Sequence, residues 1–378
     1  MIHIGLNAHL LSSQAGYRSA GIHGYIYNSL LHLPYVADET WQFTAMVGGA
    51  NPVQIDGITT RRAPFDTESP SRRILWEQVV QPFQLGGYDL YHAMAFVAPF
   101  MPMQQPFVVT VYDLSFVHYP QVLSAARRAY LRTFTANSVR RAARVIGISE
   151  STARDVVDTF GVDPAKVDVA PPGTDFERFR PLPPAQVNAF RREKNLPEDF
   201  WLFLGTLEPR KNLPTLLHAY AQLPQDARPA LVLAGGKGWD YEDIFATIAQ
   251  HHLEKEVLLP GFIPMAELPL WYNSASLFVY PSLYEGFGIP PLEAMACGTP
   301  VIVSDVSSLP EVVDGSDGVT VPPHNVDAWV SALTTALDDS AWRARASSSG
   351  IIATQRYTWG NTARQTLRSY RLAIGQQE

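Results

Sequence analysis

Two segments of the chain hold residue types suited to binding a phosphate-bearing ligand. In the first, Glu285 and Glu293 stand on either side of a Gly-Phe-Gly-Ile-Pro-Pro sequence. Gly286 and Gly288, which flank Phe287, let backbone N–H groups approach a phosphate, and the N-terminus of the helix that follows favours negative charge. Glu293, inside that helix, is suited to accept hydrogen bonds from ribose hydroxyls. The alternative is a pair of helix-capping acids beside a glycine turn.

The second segment begins with Gly205 and Thr206, at the end of a predicted strand, and continues to the adjacent cations Arg210 and Lys211. Arginine supplies forked donors and lysine a point charge, and together they suit a diphosphate. The alternative is an ordinary solvated loop pair. Because open α/β sheets bind ligands beyond the carboxyl ends of their strands, both segments have the right position for a ligand site.

Two further candidates lie in the N-terminal half. The loop at 17–24, which includes Gly21 and His23, precedes a predicted helix and is compatible with phosphate binding or with an ordinary connecting loop. Tyr112 and Asp113 follow another predicted strand. Asp113 has an alternative role as the N-cap of the next segment.

The elements that position these residues follow from the alternation of short apolar runs with helix-length segments, which predicts parallel sheets covered on both faces. The first series of predicted strands is Ile2–Leu6, Phe43–Val47, Asp89–His92, Phe107–Tyr112, Val145–Ser149 and Val167–Ala170. The second is Trp201–Gly205, Ala230–Ala234, Val257–Pro260, Leu277–Tyr280, Val301–Ser304 and Gly318–Val321. A proline-dense stretch at 171–184 separates them, so the prediction is two doubly wound α/β domains and not one barrel.

Composition and charge exclude some classes of protein and of partner. With 378 residues, 46% of them hydrophobic, the chain is long enough for two domains and too apolar for disorder. The net charge of −7 argues against nucleic acid as a partner. Residues 1–180 hold 15 Lys and Arg against 15 Asp and Glu, so the whole excess of acid falls in residues 181–378.

Several common sites are absent from the sequence. No G-x-G-x-x-G follows the first predicted strand, which disfavours a dinucleotide dehydrogenase, and the P-loop spacing does not occur. There is no H-E-x-x-H and no Asp-x-Asp pair, so no metal site is assigned. The single cysteine, Cys297, excludes an internal disulfide and fits a reducing cytoplasm. The N-terminus lacks the features of a secretory signal, and we expect a cytoplasmic protein.

These segments together resemble the retaining glycosyltransferases of the GT-B fold, specifically the large family 4, and the resemblance covers nearly the whole chain. Its strongest mark is the E-x7-E motif formed by Glu285 and Glu293. The supporting motifs are GTLEPRKN at 205–212, VTVYDLSF at 109–116, APPGTDFERFRP at 170–181, ISESTARD at 148–155 and YTW at 357–359.

The resemblance implies two Rossmann-like domains facing a cleft. Residues 1–182 would form the acceptor domain, residues 183–357 the donor domain, and a helix within 358–378 would cross back to the first domain. No cofactor is implied, because a nucleoside-diphosphate sugar is itself the donor substrate.

The resemblance also implies roles for the candidate residues. Arg210 and Lys211 would bind the diphosphate and stabilise the leaving group in place of a metal ion. Glu293 would bind the ribose, and Glu285, beside the amides of Gly286, Phe287 and Gly288, would orient the transferred sugar. Gly205 and Thr206 would line the donor site, and Gly21 would let its loop close over the phosphates. Tyr112, where many relatives carry histidine, and Asp113 would lie near the reaction centre.

A basic segment is a candidate contact with a membrane. No acid occurs from Leu114 to Ser149, whereas six arginines lie within a predicted helix from Arg127 to Arg144. Such a helix is suited to lie on an anionic membrane surface or to meet a phosphate-bearing acceptor, which would make the protein peripheral at the inner face of the membrane. The alternative is a solvated helix whose arginines pair with acids elsewhere.

The function predicted from the sequence is a retaining, metal-independent transferase. It would move a hexose, first mannose from GDP-mannose and second glucose from UDP-glucose, to a hydroxyl of a glycan or lipid-linked acceptor. The alternatives are a nucleotide-sugar epimerase on the same scaffold and a catalytically silent binder of sugar nucleotides.

Overall fold

The computed structural model describes residues 1–11, 21–48, 54–65, 67 and 69–376. The chain divides into two compact units. Unit 1 comprises Met1–Gly173 and Tyr357–Glu378, and unit 2 comprises Thr174–Arg356. The division after Gly173 falls inside the proline-dense stretch, at its beginning, whereas the sequence placed the boundary after residue 182.

Unit 1 is built on a parallel sheet. Its seven strands, within the described residues, are β1 Ile2–Asn7, β2 Trp41–Val47, β3 Ile58–Arg62, β4 Leu90–Ala93, β5 Phe107–Val111, β6 Arg144–Gly147 and β7 Val167–Val169. Their order across the sheet is β3-β2-β1-β4-β5-β6-β7. The order reverses between β1 and β4, which makes this unit doubly wound.

Helices cover this sheet. They are α1 Ile22–Val36, α2 Pro70–Leu75, α3 Ser115–His118, α4 Ala125–Arg141, α5 Glu150–Phe160 and the C-terminal helix Trp359–Ala373. A π-helical turn at Trp76–Val80 continues α2. Local sequence sets their limits. The Ser149 hydroxyl accepts from Thr152 N–H at the start of α5, and Gly161, with φ 63°, ends it in a left-handed cap.

Unit 2 has a second parallel sheet. Its described strands are β8 Phe200–Leu204, β9 Ala230–Ala234, β10 Val257–Gly261, β11 Leu277–Tyr280, β12 Val301–Ser304 and β13 Val319–Val321. Their order is β10-β9-β8-β11-β12-β13, so the order reverses between β8 and β11. The helices are α6 Pro184–Glu193, α7 Leu213–Ala221, α8 Glu242–Gln250, α9 Leu268–Ser274, α10 Ile289–Ala296, α11 Leu309–Val313, α12 Val326–Asp338 and α13 Ser340–Thr354.

The predicted fold of two doubly wound parallel sheets is confirmed. The sequence missed β3, because Ile58–Arg62 reads Ile-Thr-Thr-Arg-Arg and only its first residue is buried. An edge strand has a neighbouring strand on one side only and borders solvent on the other, so it needs few apolar residues. Its pairing with β2 follows from backbone hydrogen bonding, which an apolar pattern does not report.

The C-terminal helix packs on unit 1, as the family resemblance predicted. Tyr370 is fully buried, and its hydroxyl lies 2.7 Å from Nδ1 of His92 on β4. The other ring nitrogen of His92 lies 2.8 Å from the Thr110 hydroxyl. Burial lowers the pKa of His92 to about 3, so the ring is neutral and has one donor and one acceptor for these two partners.

The predicted arginine helix is wrong at its end. Helix α4 stops at Arg141, and Arg144 lies on β6, where its guanidinium pairs with Asp168 on β7. The run after residue 144 is the strand predicted at Val145–Ser149, and the pairing of Arg144 with Val108 on β5 extends that strand by one residue at its start.

Among the residues that the structure describes, no helix has both the length and the apolar character to cross a bilayer.

Removing the Tyr370 hydroxyl tests how firmly the C-terminal helix is held. Tyr370→Phe leaves a buried nitrogen of His92 without its partner, so we expect the free energy of unfolding to fall by about 1–3 kcal/mol in urea titration. The control is Tyr35→Phe, whose ring is 74% exposed, and which is expected to leave stability unchanged. Equal stability of Tyr370→Phe and the unsubstituted chain would contradict the prediction.

Candidate functional site

The strand order of unit 2 brings the two candidate segments together. Strands β8 and β11 are neighbours on either side of the point where the order reverses. The segment with Arg210 and Lys211 follows β8, and the segment with Glu285 follows β11. Both segments therefore lie at the carboxyl edge beside the switch point, where doubly wound sheets hold their ligands.

Arg210, Lys211 and Glu285 form one ion-pair cluster. Lys211 Nζ lies 2.5 Å from Glu285 Oε1 and also donates to the Tyr280 hydroxyl at 2.7 Å. Arg210 Nη1 lies 3.0 Å from the same carboxylate oxygen, and its Nη2 donates to Glu208 at 2.7 Å. Two cations and two anions thus share the edge of the sheet, and their formal charges cancel.

The cluster keeps Glu285 ionised. Burial by itself raises the pKa of this carboxyl group, but the charges of Lys211 and Arg210 outweigh it and bring the pKa to about 2. Burial lowers the pKa of Lys211, and Glu285 opposes that effect. Glu285 therefore serves at neutral pH as a fixed negative charge and hydrogen-bond acceptor and not as a proton donor.

The loop between β11 and α10 is fixed through its backbone. The Ser307 hydroxyl accepts from Glu285 N–H at 3.0 Å, and the Ser308 hydroxyl donates to the carbonyls of Glu285 and Phe287. Gly288, the N-cap of α10, has a φ of 112°, which L side chains rarely adopt.

Helix α10 offers few free amides at its start. Its second and third residues, Pro290 and Pro291, have no N–H, so they remove two of the donors that a helix N-terminus usually presents. Any anion binding at this end depends on the amides of 286–289 and on the helix dipole.

Gly205 continues β8 into the cationic segment. A close approach of two turns occurs here, because a Cβ on Gly235 would lie 1.8 Å from the Gly205 carbonyl oxygen. Thr206 is exposed at this edge. The backbone after β8 is therefore held close to the end of β9, with the side chain of Thr206 facing solvent.

Glu293 lies in α10 and has partners of its own. Its Oε2 accepts from the Tyr272 hydroxyl at 2.9 Å. Burial raises the pKa of Glu293 to about 7, and the Tyr272 hydrogen bond and the charge of Arg178 only partly oppose this. Nη2 of Arg178 is buried and has no hydrogen-bond partner within the described residues.

A row of buried aromatic rings connects the two glutamates. The Tyr272 ring contacts Phe278 at 5.5 Å between centroids, and Phe278 stacks on Tyr280 at 5.8 Å. The hydroxyls at the two ends of this row bind Glu293 and Lys211. Packing between α9 and β11 therefore fixes the positions of both ends of the E-x7-E motif.

Unit 1 gives Tyr112 and Asp113 local partners. Tyr112 is 4% exposed, and its hydroxyl donates to the Met94 carbonyl at 2.7 Å. Burial raises its pKa well above the usual value, so the phenol stays protonated. The Asp113 carboxylate accepts from Ser115 N–H at the start of α3. These contacts are structural, and catalytic roles for both residues remain predictions.

Gly21 is the N-cap of α1. Its φ of 65° is in the left-handed region, and no atom lies within 4 Å of the place where a Cβ would stand. Glycine is therefore favoured at this position by the backbone conformation and not by a lack of space for a side chain. Residues 17–20 of the predicted phosphate loop lie outside the described residues.

Sequence reasoning missed the side chains that hold the site. Glu208 and Tyr280 bind the cations, and Tyr272 and Arg178 act on Glu293. Glu208 stands next to the cationic pair, and Arg178 lies in the GTDFERFRP motif, so both had a local signal. Tyr272 had none, since it lies on a different helix.

A pair of histidines lies elsewhere in unit 2. His218 Nδ1 lies 2.8 Å from His251 Nε2. In the part of the chain that the structure describes, no three His, Cys, Asp or Glu side chains are grouped to hold a metal ion.

Comparison with known proteins matches this geometry. The Glycosyl transferases group 1 family matches residues 186–351, and Glycosyltransferase Family 4 matches residues 31–178. The O-antigen chain mannosyltransferase B of Escherichia coli is 33% identical over 286 residues, which are 75% of this chain and 74% of that protein.

Solved structures show the same fold. Sucrose-phosphate synthase from Thermosynechococcus elongatus has a TM-score of 0.77 at 24% identity, and the alignment covers 98% of both chains. HepE of Anabaena, solved with UDP and glucose, has a TM-score of 0.73 at 18% identity over 98% of this chain and 99% of its own.

The two Rossmann-like units have the GT-B fold, and the family matches show that the chain is a glycosyltransferase. The chain belongs to glycosyltransferase family 4.

The raised pKa of Glu293 predicts a pH-dependent stability. Its carboxyl is neutral in both folded and unfolded chains below pH about 4.5, and its buried charge destabilises the fold fully above pH about 7. Glu293→Gln keeps an acceptor for Tyr272 without the charge. We expect it to raise the free energy of unfolding by about 1–3 kcal/mol near pH 8 and hardly at all near pH 4.5.

The measurement is chemical denaturation at several pH values. Glu254→Gln, at an exposed position of the same unit, is the matched control and is expected to show no such trend. A Glu293→Gln effect that does not change with pH would show that the carboxyl is not the cause.

Proposed function

We propose that the protein transfers a hexose from a nucleoside-diphosphate sugar to a hydroxyl of a glycan or lipid-linked acceptor, with retention of the anomeric configuration and without a metal ion. The observation that carries the proposal is the cluster of Arg210, Lys211 and Glu285 at the switch point of the second sheet.

The cations act on the diphosphate. When the bond between the anomeric carbon and the diphosphate breaks, negative charge grows on the leaving group. Arg210 and Lys211 are already oriented by Glu208, Glu285 and Tyr280, so little reorganisation is needed to meet that charge. Two cations within hydrogen-bond distance of the diphosphate stabilise its negative charge, as a divalent metal ion does in other transferases.

The glutamates bind the rest of the donor. Glu285, held ionised by the cations, accepts hydrogen bonds from hydroxyls of the transferred sugar. Glu293, at the other end of the aromatic row, accepts hydrogen bonds from ribose hydroxyls in its ionised form. Arg178, with an unused buried Nη2, is a further donor beside Glu293.

The choice of donor follows the comparisons. GDP-mannose comes first because a relative at 33% identity is a mannosyltransferase. UDP-glucose comes second because a protein of the same fold was solved with UDP and glucose. We place the acceptor on unit 1, whose candidate residues are Gly21, Tyr112 and Asp113.

A donor panel tests the proposal. Thermal shift with GDP-, UDP-, ADP- and dTDP-sugars is expected to show stabilisation by one nucleotide class, worth about 2.7 kcal/mol at a concentration one hundred times the dissociation constant. Lys211→Met is expected to abolish the shift, because it removes the charge that meets the diphosphate. A chain that responds to no sugar nucleotide would refute the transferase proposal.

A second variant separates binding from folding. Lys211→Met alone leaves Glu285 with one cation and is expected to lower the unfolding free energy by about 2–4 kcal/mol. Adding Glu285→Gln removes the uncompensated charge and restores much of that stability. The double variant is expected to fold but to bind no donor, so recovery of donor binding would show that Lys211 acts only structurally.

Retention is tested on the product. After transfer to a synthetic glycan acceptor, proton NMR of the new linkage is expected to show the α-anomer when an α-linked donor such as GDP-mannose is used. A β-linked product would overturn the retaining assignment. Activity that persists unchanged with a chelator is expected, and its loss with recovery on adding a divalent cation would overturn metal independence.

A further inference from the structure

Unit 1 has a switch point of its own, between β1 and β4. Asn7 is the last residue of β1, so it lies at the carboxyl edge of the first sheet, and its side chain is buried. Its Nδ2 donates to Oε1 of Glu77 at 3.1 Å. Doubly wound sheets hold ligands at this edge, beside the point where the strand order reverses. A carboxylate is therefore fixed where the first sheet is expected to bind a ligand.

Glu77 lies in the π-helical turn that continues α2. Trp76, the first residue of this turn, is 2% exposed and packs into the unit. Such turns are rare and are frequent at functional sites. Glu77 itself is half-buried, and the bond from Asn7 is the only hydrogen bond that its carboxylate makes within the described residues. Oε2 of Glu77 is therefore available to a ligand.

The surroundings of the Glu77 carboxyl group make its charge costly. The described groups that interact with it electrostatically are Arg73 one turn earlier, Tyr91 on β4 and Tyr130 on α4. Burial raises the pKa of Glu77 to about 7, and the charge of Arg73 and the hydrogen bond from Asn7 only partly oppose this. Above that pH the ionised carboxylate destabilises the fold, so stability does not explain why a glutamate stands here.

Two further buried polar atoms at this edge have no hydrogen-bond partner within the described residues, Nε2 of His9 and Nε1 of Trp76. The two rings are in edge contact, with centroids 5.9 Å apart. Nδ1 of His9 is bonded to the Thr67 hydroxyl at 3.0 Å. Burial and the charge of Arg73 lower the pKa of His9 to about 4, so the ring is neutral. Because unsatisfied buried polar groups are costly and folds keep few of them, two beside one carboxylate indicate a place arranged for a ligand.

We infer that Glu77 binds the acceptor, and that the group it binds is a hydroxyl of a neutral sugar. Glu77 has this role only if the chain is the transferase proposed above, for which the acceptor is either a glycan or a lipid-linked molecule. A carboxylate is a strong acceptor for a hydroxyl hydrogen, and Arg73 supplies N–H donors one turn away. The two side chains carry no net charge together, which suits a neutral sugar ring. A phosphate group would be repelled by the carboxylate.

Other roles for this position fit the structure less well. Tyr112, which the family resemblance places near the reaction centre, already donates its hydroxyl to the Met94 carbonyl. A metal ion at Glu77 would meet the charge of Arg73, and the described chain holds no group of three side chains suited to a metal. A purely structural role for Glu77 predicts that its removal lowers stability. A binding role predicts the opposite, because the buried charge is then a cost that the ligand site requires.

The experiment is saturation-transfer NMR of the whole chain near pH 8 with four neutral methyl hexosides and with glucose 6-phosphate. The hexosides are the methyl glycosides of mannose, glucose, galactose and N-acetylglucosamine. We expect at least one of them to bind, and Glu77→Gln to weaken that binding by at least about tenfold, because a hydrogen bond to a charged group is lost. Glu77→Gln is also expected to raise the midpoint of thermal unfolding near pH 8, since it removes the buried charge.

The pH profile of hexoside binding gives a second readout. As the pH falls from 8 to 6, Glu77 takes up a proton and becomes a weaker acceptor, so the affinity of the unsubstituted chain is expected to fall. The affinity of Glu77→Gln is expected to stay constant over the same range. Glu39→Gln, at an exposed position of the same unit, is the matched control and is expected to behave as the unsubstituted chain does in every measurement.

Three results would overturn the assignment of Glu77. They are the absence of binding by any hexoside, hexoside binding that Glu77→Gln leaves unchanged, and tighter binding of glucose 6-phosphate than of every hexoside. A loss of stability in Glu77→Gln would assign the carboxylate a structural role instead. Thermal shift with sugar nucleotides, which Glu77→Gln is expected to leave unchanged, separates the two proposals. A chain that binds a sugar nucleotide but no hexoside refutes only the role of Glu77, whereas a chain that binds no sugar nucleotide refutes the transferase.

Discussion

The arrangement of the candidate site depends on one buried ammonium group, that of Lys211. Lys211 is 6% exposed, and an unpaired charge at that depth would shed its proton or unfold the segment. Glu285 and the Tyr280 hydroxyl satisfy it at 2.5 and 2.7 Å. This requirement ties the end of β8 to the end of β11, and Arg210 joins the same carboxylate. The charges that are proposed to meet a diphosphate are thus held in place before any ligand arrives.

Parallel topology makes that pairing available. In unit 2 the strand order reverses between β8 and β11, so loops far apart in sequence start from adjacent strand ends. The packed rings from Tyr272 to Tyr280 then link the position of this ion pair to the position of Glu293. The two ends of the E-x7-E motif are consequently in different electrostatic environments. Glu285 stays ionised beside two cations, whereas burial raises the pKa of Glu293 to about 7.

Unit 1 uses its polar groups differently. The hydroxyls of Tyr112 and Tyr370 are occupied by a carbonyl and a histidine inside the fold, so these groups stabilise the unit. Four of the six arginines of the predicted helix likewise bind backbone carbonyls or Asp168, so these arginines also stabilise the unit.

The sequence by itself determined the alternation of strands and helices, the two parallel sheets and the identity of the motifs, because these depend on local apolar patterns and on residues close along the chain. It also named Arg210, Lys211 and Glu285. Only the tertiary structure decided that Arg210 and Lys211 both contact one carboxylate oxygen of Glu285. It also decided that Tyr272 binds Glu293 and that Arg144 belongs to a strand. Such contacts join residues on separate elements, and strand order, which no local pattern encodes, decides which elements meet.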